Sequence, residues 1–385
     1  MSSTGRFGPP TLIPRHRTPR RAAGLAILTL VIVAAIVYAT LFPFSGWRPW
    51  SSLRAIGFGF VFEPWPRYWT RFDVALNVAM YLPLGFTLAL LPGRRLPTWL
   101  AAVLALLAAA TLSLLLEWLQ TLLPGRVPSR LDWAANTAGA LAGIVLGLGF
   151  ERLFAGRWQR WRAANRHRLP FDDGAGLGLV LLFAWLLAQA GPQVIGFGTG
   201  RLGDTAFVAI GIDPVVVDAW RLPESVARLA EGVGVFLTVI AIGGLVRAIA
   251  RPGGRWFAIT VACVLAAAAV RAAGAYWLPD AQAPFGWLSA APQGGLLVSL
   301  PALLACGWLD RRQAVGVGLV ALVMATLLHN LTPASDYQRT MMAAADQREW
   351  ANLTALITAI GFAWPYAAIA FLAARLSPRR DARRL

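Results

Sequence analysis

Three carboxylates interrupt a part of the chain that is otherwise apolar: Asp73, Glu117 and Asp132. Asp73 precedes Asn77 by four residues and Asp132 precedes Asn136 by four, a spacing that sets each pair on one face of a helix. Phe72-Asp73-x3-Asn77 and Leu131-Asp132-x3-Asn136 are the same short pattern, and Gly139 and Gly143 continue the second stripe. Glu117 has Ser113 four residues before it and Gln120 three after, and the connection that follows carries Arg126 and Arg130. Guanidinium groups in such a cluster suit bidentate contact with a phosphate or carboxylate. The carboxylates could instead work as general acid and base, or hold Mg2+ or Ca2+ against a lipid phosphate.

Within a membrane span an ionised carboxylate costs roughly 2.5 to 3.5 kcal/mol at the helix centre, so each calls for a partner or a purpose. For Asp73 and Asp132 two accounts stay open, a ligand site or simple capping of a helix N-terminus, where free N–H groups and the dipole favour an acid. Glu117 falls near a helix C-terminus, where the dipole disfavours it. That position points to a role in a site, or to an ion pair with Arg126 or Arg130 inside one. The candidate ligand-binding set is therefore Asp73, Asn77, Ser113, Glu117, Gln120, Arg126, Arg130, Asp132 and Asn136, with Glu117 the candidate for any catalysis.

The elements that must hold these residues are membrane helices. Of 385 residues, 57% are hydrophobic and 14% charged, and the apolar ones gather in long runs rather than in 3.6-period stripes. Spans are expected at 22–42, 73–92, 98–122, 132–150, 175–197, 228–249, 256–277, 294–309, 313–331 and 352–374, an all-α polytopic membrane protein of about ten transmembrane helices. The organisation read from this is a basic tail (1–21), a four-helix membrane domain (22–150), a basic linker with interleaved Trp lying on the inner membrane surface (151–173), a six-helix membrane domain (174–375) and a second basic tail (376–385).

Every basic residue is Arg, and the net charge is +17. With the N-terminus inside, most of the arginines fall in cytoplasmic segments, including Arg94, Arg95, the run from Arg152 to Arg168 and the cluster after Phe371. This is the positive-inside pattern. It puts both termini in the cytoplasm, and Asp73, Glu117, Asp132 and the Arg126 turn on the outer side. Nucleic-acid binding is excluded, because no connection is long enough to build a basic folded face. The first apolar run is longer than a signal-peptide core and lacks a small-x-small cleavage site, so it reads as a retained span. Cys263 and Cys306 lie inside apolar runs and form no disulfide framework. The histidines are His16, His167 and His329, which gives the first half no zinc cluster. No P-loop, nucleophile elbow or dinucleotide fingerprint occurs, and no cofactor is expected.

In the second half, Arg228 and Glu231 are spaced for an in-helix ion pair, and Arg271 is expected to snorkel to the interface. The stretch 198–226 reads as a solvated connection, and His329 and Asn330 as interfacial. Trp47, Trp50, Trp65, Trp69, Trp277 and Trp287 fit an aromatic belt. Ten helices could house a transport pathway, but neither an inverted repeat nor paired broken helices can be read from the sequence.

The order Glu117, Gln120, Pro124-Gly125-Arg126, Asp132, Asn136, Gly139, Gly143, preceded by Leu41-Phe42-Pro43-Phe44 and by Asp73, Asn77, Pro83 and Gly85, resembles the VanZ-like family of small polytopic bacterial membrane proteins. The likeness spans about residues 38–150. It implies a four-helix module in the bacterial inner membrane, of a family named for a member linked to teicoplanin resistance. Many members carry an acidic residue where Ser129 stands, so one cation or proton ligand is missing here. The implied partner is a membrane lipid, a lipid-linked envelope precursor or a glycopeptide, with a metal-assisted membrane enzyme on a lipid phosphate, or a transporter, as alternatives. Nothing in the likeness extends to residues 174–375.

Overall fold

The computed structural model describes residues 19–42, 46–51, 58–66, 68–91, 96–124, 126–165, 169–172, 174–202, 213–253, 255–277, 284–345 and 351–377. His16, Pro43, Phe44, Arg94, Arg95, Gly125, His167 and most of both tails lie outside them. Among the described residues every named element is a helix, and an isolated bridge pairs Phe171 with Ala250. The helices are α1 (Pro19–Leu41), α2 (Arg71–Leu90), α3 (Thr98–Gln120), α4 (Arg130–Leu153), α5 (Ala155–Ala164), α6 (Gly176–Ala188), α7 (Pro214–Trp220), α8 (Glu224–Ile249), α9 (Trp256–Trp277), α10 (Ala290–Ala305), α11 (Arg311–Leu331), α12 (Asp336–Ala345) and α13 (Ala351–Leu376). Nine of these, α1 to α4, α8 to α11 and α13, are long and apolar enough to cross a bilayer. Their outward faces carry Leu, Val and Phe, as expected of helix sides that meet acyl chains, and the chain is a multi-pass membrane protein.

Two compact units divide between Trp161 and Arg162. In the first, α2 begins with a capping box, the Thr70 hydroxyl accepting from the Asp73 N–H while Asp73 accepts from Thr70. The Ser129 side chain accepts from the Leu131 N–H and starts α4. α2 and α4 then meet backbone to backbone. A Cβ on Gly143 would stand 2.0 Å from the Leu82 carbonyl oxygen, one on Gly139 2.3 Å from that of Val78, and one on Gly85 2.0 Å from that of Ala140. A stripe of small residues permits this approach, and backbone contacts rather than interlocking side chains hold the pair.

The second unit corrects the sequence reading at one span. The run expected to cross at 175–197 is helical only over the 13 residues of α6, roughly 20 Å at 1.5 Å per residue. Pro192 has no N–H to give a helix and disfavours helical geometry at Gly191. The chain continues without helix, and residues 193–200 are all buried. Irregular backbone at membrane depth needs protein around it, and here the carbonyl of Phe197 accepts from Trp185 Nε1 (3.1 Å), the N–H of Gly200 donates to Gly361 O (2.8 Å), and Asn330 Nδ2 donates to Gly200 O (2.9 Å). Phe197 (φ 63°) and Gly200 (φ 83°) take the left-handed turns that fold the segment back on itself.

Half-helix and irregular run together join the two ends of this unit. One end gathers Asp172, Ala248 and Arg311, with Arg311 Nη2 2.6 Å from Asp172 and 2.7 Å from Ala248 O, and Arg375 donating to Gly174 O at 2.8 Å. At the other, the N–H of Leu202 donates to Asn330 Oδ1 (2.7 Å) and that of Leu222 to Leu331 O (2.8 Å). Several local expectations change with it. His329 is fully buried, not interfacial, because Gly198 packs directly on its ring. In the stretch 198–226 residues 198–200 are buried and 201–202 half-buried rather than solvated, most of the described positions from Asp213 on are exposed as expected, and Asp204 lies outside the described residues. Trp47, Trp50, Trp65 and Trp69 are exposed as a belt requires, whereas Trp287 is core.

Gly143→Ala is predicted to destabilise the protein by about 3 kcal/mol or more, since a backbone oxygen cannot move aside as a side chain can. Gly149→Ala, where nothing stands within 4 Å of the new methyl, is predicted to be neutral or to stabilise by up to about 1 kcal/mol. Thermal unfolding of the two purified variants checks the opposite signs.

Candidate functional site

Because α2 and α4 touch at Gly85, Gly139 and Gly143, the polar residues a few turns along are brought together at the end of the bundle where both helices begin. Asn77 Nδ2 donates to Asp132 Oδ1 at 2.9 Å, so the two Asp-x3-Asn repeats are joined crosswise, the Asn of the first to the Asp of the second. Asn136, buried one turn further in, donates through Nδ2 to Ser113 Oγ on α3 at 3.0 Å. Trp133 Nε1 donates to Ala110 O at 3.1 Å and fixes the rotation of α4 against α3.

Glu117 is buried, and its Oε2 accepts from the backbone N–H of Ser129 at 2.9 Å. The carboxylate thus stands at the N-terminus of α4, where unpaired N–H groups and the helix dipole favour negative charge. Sequence reasoning placed Glu117 at the unfavourable end of its own helix; the favourable end of a neighbouring helix is what receives it. Among the described residues no guanidinium lies within ion-pairing distance of Glu117, which corrects the expected pair with Arg126 or Arg130. Arg126 instead donates from Nη2 to Phe42 O at 2.7 Å, which ties the turn after α3 to the end of α1. Glu117 remains within its electrostatic reach: burial pushes the Arg126 guanidinium below its ordinary pKa, and the Glu117 charge acts in the opposite direction. Arg130 stacks over the Trp65 ring at 4.6 Å, and its Nε has no hydrogen-bond partner.

Gln120 is buried and donates from Nε2 to Thr40 O at 3.1 Å, a second link to α1. Asp73 is the member of the expected set that the geometry turns away. Its Oδ2 accepts from the Thr70 hydroxyl at 2.7 Å and the Thr70 N–H at 3.3 Å, the capping role that the sequence left open. Asp132 lies within electrostatic reach of both Asp73 and Glu117, so the cluster concentrates negative charge on a rim that also carries Arg126 and Arg130.

One site residue was not read from the sequence. Tyr81 is buried, and its hydroxyl adjoins Ser113 and Glu117 without a hydrogen bond of good geometry to either. The signal was present: Asp73, Asn77, Tyr81 and Gly85 recur every four residues, a stripe on the same face of α2. With Asn136 Oδ1 also unpartnered, the cluster holds a hydroxyl and an amide oxygen beside two carboxylates. Among the described residues no group of three His, Cys, Asp or Glu side chains gathers as a metal ligand set, so a cation here would take amide or ligand oxygens to complete its shell.

A family profile described as VanZ/LLP1 matches residues 26–151, about a third of the chain. The match runs from within α1 to within α4 and includes every residue of the candidate set. No curated protein and no solved structure matches the chain.

The Asn77–Asp132 bond joins two helices in a partly buried setting. Alanine at both positions is predicted to show a coupling of about 0.5 to 1.5 kcal/mol in a double-mutant cycle, measured by reversible unfolding in detergent. Asp73→Ala combined with Asp132→Ala is predicted to show less, because Asp73 bonds within its own helix start.

Proposed function

We propose that the first unit binds the polar head of a cell-envelope lipid, a lipid-linked glycan precursor or a glycopeptide at the outer leaflet of a bacterial inner membrane. The observation that carries this reading is the convergence of Asn77, Tyr81, Ser113, Glu117, Asp132 and Asn136 from three helices in one polar cluster, with Tyr81, Ser113, Glu117 and Asn136 buried beneath the partly exposed Asn77 and Asp132 and with Arg126 and Arg130 beside them. The guanidinium groups suit a phosphate or carboxylate of the ligand. The amides and the carboxylates suit sugar hydroxyls or peptide N–H groups. The positive-inside distribution of Arg supports an outward-facing rim and cytoplasmic termini. The VanZ/LLP1 match supports the envelope, and through the family's name teicoplanin, as the place to look.

A second reading is enzymatic. Glu117 and Asp132, both drawn from water and within reach of each other, could divide acid and base roles on a lipid phosphate. Turnover of polyprenyl phosphates by the purified protein in lipid, insensitive to EDTA, would favour it over binding alone; turnover abolished by EDTA would favour a metal-assisted version.

Expressed in a teicoplanin-sensitive host, the wild-type chain is predicted to raise the inhibitory concentration, and Glu117→Gln and Arg126→Ala each to abolish the rise at unchanged membrane abundance. A photo-crosslinkable lipid or glycopeptide is predicted to label α2 to α4 in the wild type and to lose that label in both variants. Full protection together with full labelling in the variants would refute the proposed site.

A further inference from the structure

The arginines of the second unit meet two different surroundings. Arg271, on α9, is buried, and the expectation that it snorkels to the interface fails. Its Nη2 donates to Gln193 O at 3.1 Å, and its guanidinium lies over the Trp287 ring, 5.2 Å from the centroid. The space of about 20 Å³ beside it has room for one water, and its Nε and Nη1 are sealed from solvent. Arg271 therefore secures the irregular run after α6 and offers a ligand no opening. Among the described residues the expected Arg228–Glu231 pair is likewise not found.

The end of the unit where α8 finishes, α11 begins and α13 finishes is open instead. There Arg311, Arg312 and Asp172 line a cavity of about 320 Å³, with Val315, Ala374 and Leu376 in its apolar wall. That volume is within the roughly 300 to 1,000 Å³ usual for ligand clefts. Hydrogen bonds to backbone oxygens fix the walls: the Asp172 N–H donates to Ile249 O at 2.9 Å, Arg251 Nε to Phe171 O at 2.9 Å and Arg312 Nη2 to Leu376 O at 3.2 Å. Arg311 spends Nη2 on Asp172 (2.6 Å) and on Ala248 O (2.7 Å). Its Nε and Nη1 have no hydrogen-bond partner among the described residues, and neither is sealed from solvent. Arg312 is exposed and has no carboxylate partner among the described residues, while Asp172 is already engaged by Arg311.

Arginine at the cytoplasmic end of a span needs no ligand to explain it. What sets this pair apart is its surroundings. Arg311 and Arg312 are the first two residues of α11, where free backbone N–H groups add positive potential to their own; Asp310 answers part of it by capping at the Gln313 N–H. One nitrogen of each guanidinium is held by a carbonyl, so the remaining N–H groups are presented from a fixed base. The cavity also lies where three membrane-crossing helices end, the depth at which lipid phosphates sit. We propose that the second unit binds a phosphate group in this cavity through Arg311 and Arg312, the phosphate belonging to an anionic phospholipid or to the free ion. Guanidinium forks match phosphate oxygens, and basic pockets between helix ends suit anionic headgroups. The apolar wall suits the first acyl carbons of a lipid. This site and the polar cluster of the first unit do not depend on each other.

The test is thermal unfolding of the full-length protein in an uncharged detergent. Inorganic phosphate serves as the soluble probe, with chloride at matched ionic strength as its control. Phosphatidylglycerol in mixed micelles serves as the lipid probe, with phosphatidylcholine, whose own cation answers its phosphate, as its control. A saturable rise in Tm with inorganic phosphate identifies a site open to the free ion, and a rise with phosphatidylglycerol alone identifies a lipid site. Arg312→Ala removes one fork from an exposed position, and is expected to raise the half-saturating concentration of the active probe about tenfold or more. Arg255→Ala deletes an equal charge from an exposed position just before α9, at the same end but outside the cavity. It is expected to change that concentration by less than about twofold, as a screened surface charge does. No saturable rise with either probe, an undiminished rise in Arg312→Ala, or an equal loss in the two variants would overturn the site.

Discussion

Polar side chains persist in an apolar slab where protein atoms stand in for the water they lose, and in the first unit that replacement depends on how closely two backbones approach. Gly139 and Gly143 on α4, and Gly85 on α2, leave room for a hydrogen and nothing larger against the facing carbonyls. The Asn77–Asp132 bond, the reach of Asn136 to Ser113 and the delivery of the α4 N-terminus to Glu117 all require that separation. The glycines are therefore part of the site although none of them carries a functional group. Their place in the chain, continuing the Asp132–Asn136 stripe, shows one helix face doing two tasks, contact at one end and polar presentation at the other.

The second unit meets the same constraint in another way. Gly244 and Gly318 bring α8 and α11 into backbone contact, and a Cβ on Gly274 would strike the carbonyl of Ala190. There the close approach serves an interrupted segment, not a pair of polar stripes. Burying residues 193–200 supplies backbone partners that water would otherwise provide, and the same enclosure surrounds Arg271 and His329. In a membrane a broken helix and a buried cation are linked features, since each needs protein on every side.

What the sequence revealed follows from which forces are local. Apolar runs about as long as a bilayer is thick mark nine helices directly, and four-residue spacing placed Asn77, Ser113, Glu117, Asp132 and Asn136 on faces that do converge. Partners were less legible. Glu117 meets the N-terminus of α4, and Arg126 meets Phe42 O, because the register between helices is set by glycine contacts far from either residue. Asp73 kept its local role, and Thr70 three residues before it was the available sign. The run 175–197 misled because hydropathy reports apolarity and not backbone geometry, although Gly191-Pro192 stood in the sequence as a helix stop. Arg271 and His329 misled for a related reason: a position near a helix end predicts exposure unless another segment folds over it.

The shortness of α6 bears on how the protein is made. A 13-residue apolar segment falls well below the length that partitions into lipid unaided, so as it leaves the ribosome it has no stable home in the bilayer. The partners that complete it are made later in translation: Trp364 Nε1 donates to Leu181 O at 2.6 Å and Gly361 O accepts from the Gly200 N–H, both from α13, more than 150 residues further along the chain. The α6 segment must therefore wait, shielded by other helices or by the insertion machinery, until α13 arrives to seat it.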